Sequence, residues 1–537
     1  MAIALDRLRV EASRLRQRTL VELFQADPGR FRSLSFRHGA VFADLSRQRI
    51  DSAALAALVE AARAAGLEAA IEALFAGAVV NRSERRPALH TALRGLGPED
   101  AVRRAGEALE RMERLIGILR GDPGSTFGMH RVTDVVSVGI GGSDLGPRLL
   151  LEALERRSRG LPRVHFVSNV DGDVLQRLLP RLDPGSTLVV LISKSFGTRE
   201  TLINGHSLIE WLRNHHGGER EAALRQCMAV TADADRAAAL GIARSRILPL
   251  WPWVGGRFSL WSCASVVVAL AVGIAVFRRL LCGAADMDAH FRDAPLEANL
   301  PVLLALVGIW NRNLLACPSH AVVPYAERLR LLPAWLQQLE MESNGKSVDS
   351  AGTPVDLATA PVVWGGVGSD AQHAFFQSLH QGTDVVPVEL IGVVRPAHGH
   401  AEHHRALLAN LLAQGAALMR GQTAEQARER LRDAGLRGSE LEALAAQQAC
   451  PGNRPSTTLL LDDLEPESLG ALLALYEHRT YAQGVLWGVN PFDQWGVELG
   501  KRLAEQLEPA VEGAPPPQDA DAATLGLLSE IRSRRGA

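Results

Sequence analysis

The sequence predicts an α/β protein: two tandem lobes, each a parallel sheet flanked by helices, with a helical N-terminal arm and a C-terminal tail. Three observations carry this. From Asp134 onward, short β-branched runs alternate with helical stretches, the pattern of βαβ units in a sheet covered on both faces. The alternation occurs twice, on either side of a long helical stretch from Leu260 to about Leu315. Before it, from Leu5 to Gly121, the apolar spacing is helical.

In chain order, the arm contains "DSAALAALVEAARAAGLEAAIEALF", with apolar residues at helical spacing after a Ser/Asp start. The first set of strands reads as "DVVSVGI", "VHFVSNV", "STLVVLIS", "CMAVTA" and "RILPL". The second reads as "HAVVPY", "APVVWGG", "DVVPVELIGVV" and "STTLLLDDL". After Glu508, "EGAPPPQDADA" is Pro-rich linker chemistry, followed by a short helix, "ATLGLLSEIRSRR". The expected divisions are a helical arm over 1–121 packing on the second lobe, a first lobe over 122–285, a second over 286–508, and linker plus helix over 509–537. No repeat suggests a solenoid or propeller.

Bulk composition excludes several function classes. The chain has 537 residues, 47% hydrophobic and 22% charged, as in ordinary globular proteins. Its net charge of −2, from 58 basic and 60 acidic residues, offers no global field for nucleic acid or a membrane surface. An anionic ligand must be held by a local site. Cys227, Cys263, Cys282, Cys317 and Cys450 are scattered, without a C-x-x-C pair, which points to a reducing cytoplasm. The N-terminus "MAIALDRLRVEASRLRQ" is charged too early for a signal peptide. The run "CASVVVALAVGIAVF" is too short to span a bilayer and reads as a buried core helix.

Two loops suit an anion. "VVSVGIGGSDLGPRLLLEAL" is strand, glycine turn, helix: Gly141 and Gly142 allow close backbone approach, and Ser143 opens the helix. It is neither a Rossmann fingerprint, since Asp144 stands at the third glycine position, nor a P-loop, which requires a Lys-Ser/Thr pair. A plain tight turn is the simpler reading. The second loop, "STLVVLISKSFGTRETLING", gathers Ser193, Lys194, Ser195, Thr198 and Thr201 at a strand's carboxyl end, where open α/β sheets bind ligands. An N-cap needs one hydroxyl; the surplus favours a monophosphate.

A third stretch, "LEMESNGKSV", ends an apolar helix with two acids. Asn344 and Gly345 read as a left-handed helix stop. Glu342 then stands in the last turn, where the dipole disfavours a carboxylate, with Gln338 on the same face. Taken alone, Glu342 is an exposed surface glutamate.

Seven segments occur together and in one order: "NRSERRPALHTALR", "GIGGSDLGPR", "SKSFGTRET", "WVGGRFSLWS", "QQLEMESNGKSV", "AQHAFFQSLHQGT" and "NPFDQWGVELGKRLAEQL". On these the chain resembles the glucose-6-phosphate isomerase (phosphoglucose isomerase) family, from roughly Leu20 to Leu507. It departs from the family in Ser195 and Gly197, where many members have threonines, and in Asp370-Ala371 in place of Asn-Gly. The resemblance implies two sugar-isomerase (SIS-type) lobes and interconversion of glucose 6-phosphate and fructose 6-phosphate through a cis-enediolate. It implies no metal or organic cofactor, and a homodimer with sites at the subunit boundary.

Residue by residue, the resemblance makes Glu342 the base that moves a proton between C2 and C1. A carboxylate suits this because its conjugate acid returns the proton. Arg257 matches the cation beside the enediolate. His380 and Lys501 match the ring-opening pair, His380 coming from the neighbouring subunit. Ser193, Lys194, Ser195 and Thr198, with Thr201 next, match phosphate ligands; Gly142 and Ser143 line the sugar side; Gln338 and Gln494 match glutamines that contact substrate. His398, His400, His403 and His404 raise the question of metal, but no cysteine or acid set supports a site. Two rivals stay open: a sugar-phosphate-binding regulator with the same lobes, against which the complete catalytic set counts, and an isomerase that also accepts mannose 6-phosphate.

Overall fold

The computed structural model describes residues 3–154 and 161–535. The chain forms two compact units, Met1–Pro491 and Phe492–Ala537.

The N-terminal arm is not helical throughout. Between its helices lie two short strands, β1 (Ser35–His38) and β2 (Val41–Asp44), paired antiparallel. Each is four residues long, too short for alternation to stand out in the sequence.

The first lobe is a five-stranded sheet of β3 (Asp134–Val138), β4 (Arg163–Val167), β5 (Thr187–Ile192), β6 (Cys227–Thr231) and β7 (Ile247–Pro249). Every pair is parallel, in the order β4-β3-β5-β6-β7. β3, β5 and β6 are buried along their whole length, which is why they read as unbroken apolar runs. The chain leaves β3 for β4 on one side and then crosses to β5 on the other. A crevice therefore opens between the loops after β3 and β5, the place where open α/β sheets bind ligands.

The second sheet contains β8 (Ser319–Tyr325), β9 (Val362–Gly365), β10 (Val388–Val393) and β11 (Ser456–Leu461), all parallel among themselves. β2 pairs antiparallel with β11, so the arm's hairpin completes a six-stranded sheet ordered β1-β2-β11-β10-β8-β9. The arm thus covers an edge that would otherwise offer unpaired amides.

The apolar run at Cys263 divides at Gly273 into a fully buried helix, Val266–Val272, and the helix Ile274–Asp293. No helix among the described residues is long and apolar enough to cross a membrane. The helix Pro466–Trp487 is buried along almost all of its length. It carries Glu477 and His478 inward, Glu477 2.5 Å from Arg94 and His478 2.6 Å from Asp288, and Arg94 in turn lies 2.6 Å from Asp288. Buried charges survive in this form because each is paired and hydrogen-bonded. Thr480 on the same helix reaches the site described below.

In the second unit, the helix Trp495–Val511 is followed by the Pro-rich segment and the helix Ala522–Arg535. Arg532 Nε holds the two together by donating to the Ala510 carbonyl at 2.8 Å.

Candidate active site

The loop after β3 tightens into a single turn, Gly141–Ser143, before the helix Leu145–Leu154. Gly142 has no room for a side chain. A β-carbon there would lie 2.0 Å from the Gly256 carbonyl oxygen and 2.6 Å from the Arg257 nitrogen. Of the two glycines before Arg257, Gly255 would bring a β-carbon within 3.2 Å of the Phe258 ring and Gly256 would meet nothing; the bare Cα that the contact with the Gly256 backbone needs belongs to Gly142. This contact presses the first loop onto the segment carrying Arg257. Ser143 is part-exposed on the same turn.

The loop after β5 holds the hydroxyl cluster. Ser193 Oγ donates to Thr198 Oγ1 at 3.0 Å, and Ser195 Oγ accepts from the Gly197 amide at 3.3 Å. Phe196, between them, adopts a left-handed φ of 48° with its ring buried. A non-glycine residue held there marks local strain, common at ligand-binding loops. Thr198 is the N-cap of the helix Arg199–His215, yet its side chain caps no amide. Thr201, in the first turn, is 3% exposed and its hydroxyl has no partner. The helix start thus leaves its first amides uncapped beside a buried, unpartnered hydroxyl, donors of the kind that bind anions.

Lys194 does something the sequence does not show. Its ammonium donates to the Pro252 and Val254 carbonyls, both at 2.8 Å. Burial, with help from Arg86 and Arg257, pushes its pKa down to about 8, against a pull upward from Glu84. The lysine therefore ties the β5 loop to the segment that runs into Arg257.

Arg257 lies on the turn Gly256–Phe258 and is 2% exposed. Nε donates to Ser343 Oγ at 2.6 Å and Nη2 to the Pro491 carbonyl at 2.5 Å. Nη1 stands 3.4 Å from Glu342 Oε1. The guanidinium is thus aimed by two fixed acceptors at the carboxylate.

Glu342 itself is presented by a distorted helix. After β8 the chain forms the α-helix Leu332–Leu336 and then widens into a π-helical turn, Gln337–Glu342. Such turns recur at functional sites. What ends this helix differs from the sequence expectation: neither Asn344 nor Gly345 has a left-handed φ. Asn344 is fully buried and donates to Glu340 Oε1 at 3.1 Å and to the Thr480 carbonyl at 3.0 Å. Gly345 is needed for space, because a β-carbon would meet the Met341 carbonyl oxygen at 2.4 Å. Lys346 Nζ donates to the carbonyls of Ser343 and Asn490 at 2.5 Å and of Glu342 at 3.4 Å, countering the negative end of the turn. Glu340 is buried, accepts from Asn344 and from Thr480 Oγ1 (3.0 Å), and has its pKa raised by that burial. Glu342, by contrast, keeps part of its side chain open.

The structure therefore gathers Gly142, Ser143, Arg257, Gln338 and Glu342, with Lys194 linking the hydroxyl loop to them. Gln338 Nε2 lies 3.0 Å from where a β-carbon on Gly141 would stand, and its Oε1 is buried without a partner. His380 ends the helix Phe376–Gln381; its ring partners are Gln414, at 2.9 Å, and Phe376, neither of them in this cluster. Gln494 and Lys501 belong to the second unit, Gln494 as the N-cap of Trp495–Val511 and Lys501 paired with Glu498 at 2.9 Å. Glu340, Ser343, Asn344 and Lys346, which hydrogen-bond around Glu342 and Arg257, are not among the residues that the sequence singles out for the site. The signal was present in "EMESNGK", whose polar density exceeds what a helix end requires. No group of three or more His, Cys, Asp or Glu able to hold a metal ion occurs among the described residues. In the histidine-rich stretch, His404 Nε2 pairs with the Val394 carbonyl (2.9 Å) and His398 Nδ1 accepts from the His400 amide (3.2 Å).

Known proteins resemble this chain over nearly its whole length. The family model described as phosphoglucose isomerase matches residues 44–528. A glucose-6-phosphate isomerase of Stenotrophomonas maltophilia (strain K279a) is 49% identical over 536 residues, covering 98% of each chain. One from Xanthomonas campestris pv. campestris (strain B100) is 48% identical over 533 residues, again with 98% of each chain covered. Among solved structures, a glucose-6-phosphate isomerase from Chlamydia trachomatis D/UW-3/Cx superposes with a TM-score of 0.83 at 33% identity, over 99% of each chain.

Proposed function

The chain belongs to the phosphoglucose isomerase family and interconverts glucose 6-phosphate and fructose 6-phosphate, and we propose that Glu342 is the base that carries the proton between C2 and C1. The reaction serves glycolysis and gluconeogenesis. The observation that carries the assignment is the part-open Glu342 carboxylate facing the buried Arg257 guanidinium at 3.4 Å. The base must take a carbon-bound proton and return it, and a carboxylate does both. As the proton leaves carbon, negative charge builds on the enediolate oxygens. Arg257 is already fixed by Ser343 and Pro491, so it meets that charge without rearranging.

The remaining roles follow the same reading. Ser193, Ser195, Thr198 and Thr201, at the start of the helix Arg199–His215, hold the phosphate. Lys194 acts as the brace between that loop and Arg257, a role supported by its two bonds to Pro252 and Val254. Gly142 and Ser143 bound the sugar, and Gln338 and Gln494 contact it; the unpartnered Gln338 Oε1 supports this. His380 and Lys501 open the sugar ring. His380 serves the site of a second copy in a homodimer, a reading supported by its having no partner in the cluster around Glu342. The five free cysteines support a reducing, cytoplasmic setting.

Two experiments test this. A coupled assay with fructose 6-phosphate should show full activity after chelator treatment; activity lost on chelation and restored by a metal ion would refute the carboxylate–guanidinium mechanism. Inactive Glu342→Gln and inactive His380→Ala proteins, dissociated and reassembled together, should regain activity, because a mixed dimer holds one intact site. Mixed dimers without activity would place His380 in its own subunit's site.

A further inference from the structure

The phosphate loop is held from outside by the turn after β6. Ser193 N donates to the Val230 carbonyl at 3.1 Å, and the Lys194 carbonyl accepts from Ala232 N at 2.9 Å and Thr231 Oγ1 at 3.1 Å. Farther along, Arg236 Nη1 donates to the Ser195 carbonyl at 3.3 Å. Two successive loop carbonyls are thus engaged, that of Lys194 by the end of β6 and the residue after it and that of Ser195 by Arg236 on the helix Ala234–Leu240. Arg236 is aimed by Asp233, whose carboxylate accepts from the Arg236 amide at 3.0 Å and pairs with Nε at 3.3 Å.

Gly197 gives the arginine its place. Its backbone is not left-handed, so conformation does not require glycine there. Space does: a β-carbon on Gly197 would lie 2.7 Å from Arg236 Nη1. The obstacle is the end of a flexible side chain, so a larger residue would displace the guanidinium and leave the loop backbone in place.

We propose that Arg236 is a positioning residue of the phosphate loop: its guanidinium fills the space left by Gly197, holds the Ser195 carbonyl outward and adds positive charge beside the bound anion. This rests on the reading of Ser193–Thr201 as the phosphate site. Asp233 offsets part of the charge, but the Asp233 carboxylate engages Nε and the backbone, while the Nη1 side faces the loop. The unpartnered, buried Thr201 hydroxyl independently marks the loop as built for a ligand.

The test uses the purified full chain, with fructose 6-phosphate as substrate and inorganic phosphate as competitive inhibitor. Arg236→Met should raise both KM and the inhibition constant of phosphate by about 3- to 10-fold, the size expected of one exposed charge close to an anion. The kcat should hold within about twofold, as for lost uniform binding. Arg236→Lys should recover part of the affinity, and the gap between variants should narrow as salt is added. Gly197→Thr should raise KM in the same way by displacing the arginine, and should add nothing further in the Arg236→Met background. An Arg236→Met protein with normal KM and phosphate inhibition, while Thr198→Ala is impaired in both, would overturn the role of Arg236 alone. A loss confined to kcat or to thermal stability would overturn it too. If Thr198→Ala itself binds phosphate normally, the phosphate-loop reading fails and Arg236 falls with it.

Discussion

The proposed phosphate loop and the Glu342 turn, which on this reading meet the same dianionic substrate, are built in opposite ways. Around Ser193–Thr201, donors are left over: Thr198 caps no amide and the Thr201 hydroxyl has no partner. Around Glu342 the charged groups and end carbonyls are held, Glu340 by Asn344 and Thr480, the end carbonyls by Lys346 and Arg257 by Ser343 and Pro491, and what is left over is two amide acceptors, Gln338 Oε1 and Asn344 Oδ1, not donors. A site that binds keeps its donors for the ligand. A site that reacts keeps one group open and immobilises the rest, because a base out of place loses rate steeply. The first should act on ground and transition state alike, the second on the transition state.

The largest test of this contrast removes the base without changing its size. Glu342→Gln should lower kcat by about 10²- to 10⁴-fold, the usual contribution of a positioned base. It should also abolish exchange of C2 deuterium with water, while KM changes little. Near-normal exchange would remove Glu342 from the centre of the mechanism. A smaller effect is expected in the loop: Thr198→Ala should raise KM more than it lowers kcat, read from steady-state kinetics. A loss in kcat alone would erase the distinction between the two regions.

The smallest effect lies in the brace that joins them. With its pKa pushed down to about 8, Lys194 loses its positive charge as pH rises through that value. Its bonds to Pro252 and Val254 then lose their charge-assisted strength. The expected result is a modest fall in kcat/KM above about pH 8, absent in Lys194→Arg, whose guanidinium stays charged. A profile identical in both proteins would show that the loop and the Arg257 segment are held together by other contacts, such as Gly142 against Gly256. The stability sign is separate: with its folded pKa depressed, a buried lysine is least unfavourable to folding at high pH, so deprotonation of Lys194 would not itself destabilise the fold there.

Much of this protein is legible from local pattern. The strands of both parallel sheets appear as β-branched runs because strands buried on both faces tolerate little else. Their order around β3 and β5 fits the hydroxyl-rich loop at a strand's carboxyl end. Glu342, Arg257 and Gln338 are found by motif, and they converge. The sequence pattern failed where the decisive partner is distant. β1 and β2 are too short to declare themselves, and only pairing with β11 makes them part of a sheet. Asn344 reads as a helix stop from its neighbours, but its role is set by Thr480, 136 residues away.

By itself, then, the sequence determined the two-lobed α/β class, the family, and the residue types that gather around Glu342. These depend on periodicity and on short motifs, which are properties of neighbouring residues. Tertiary structure decided how those residues are held. It placed Gly142 against Gly256, widened the helix before Glu342 into a π turn, and turned Lys194 from the phosphate loop onto carbonyls 58 and 60 residues further on. The physical reason is that a buried donor takes whichever acceptor the packed chain brings within about 3 Å, and that acceptor is chosen by the fold as a whole.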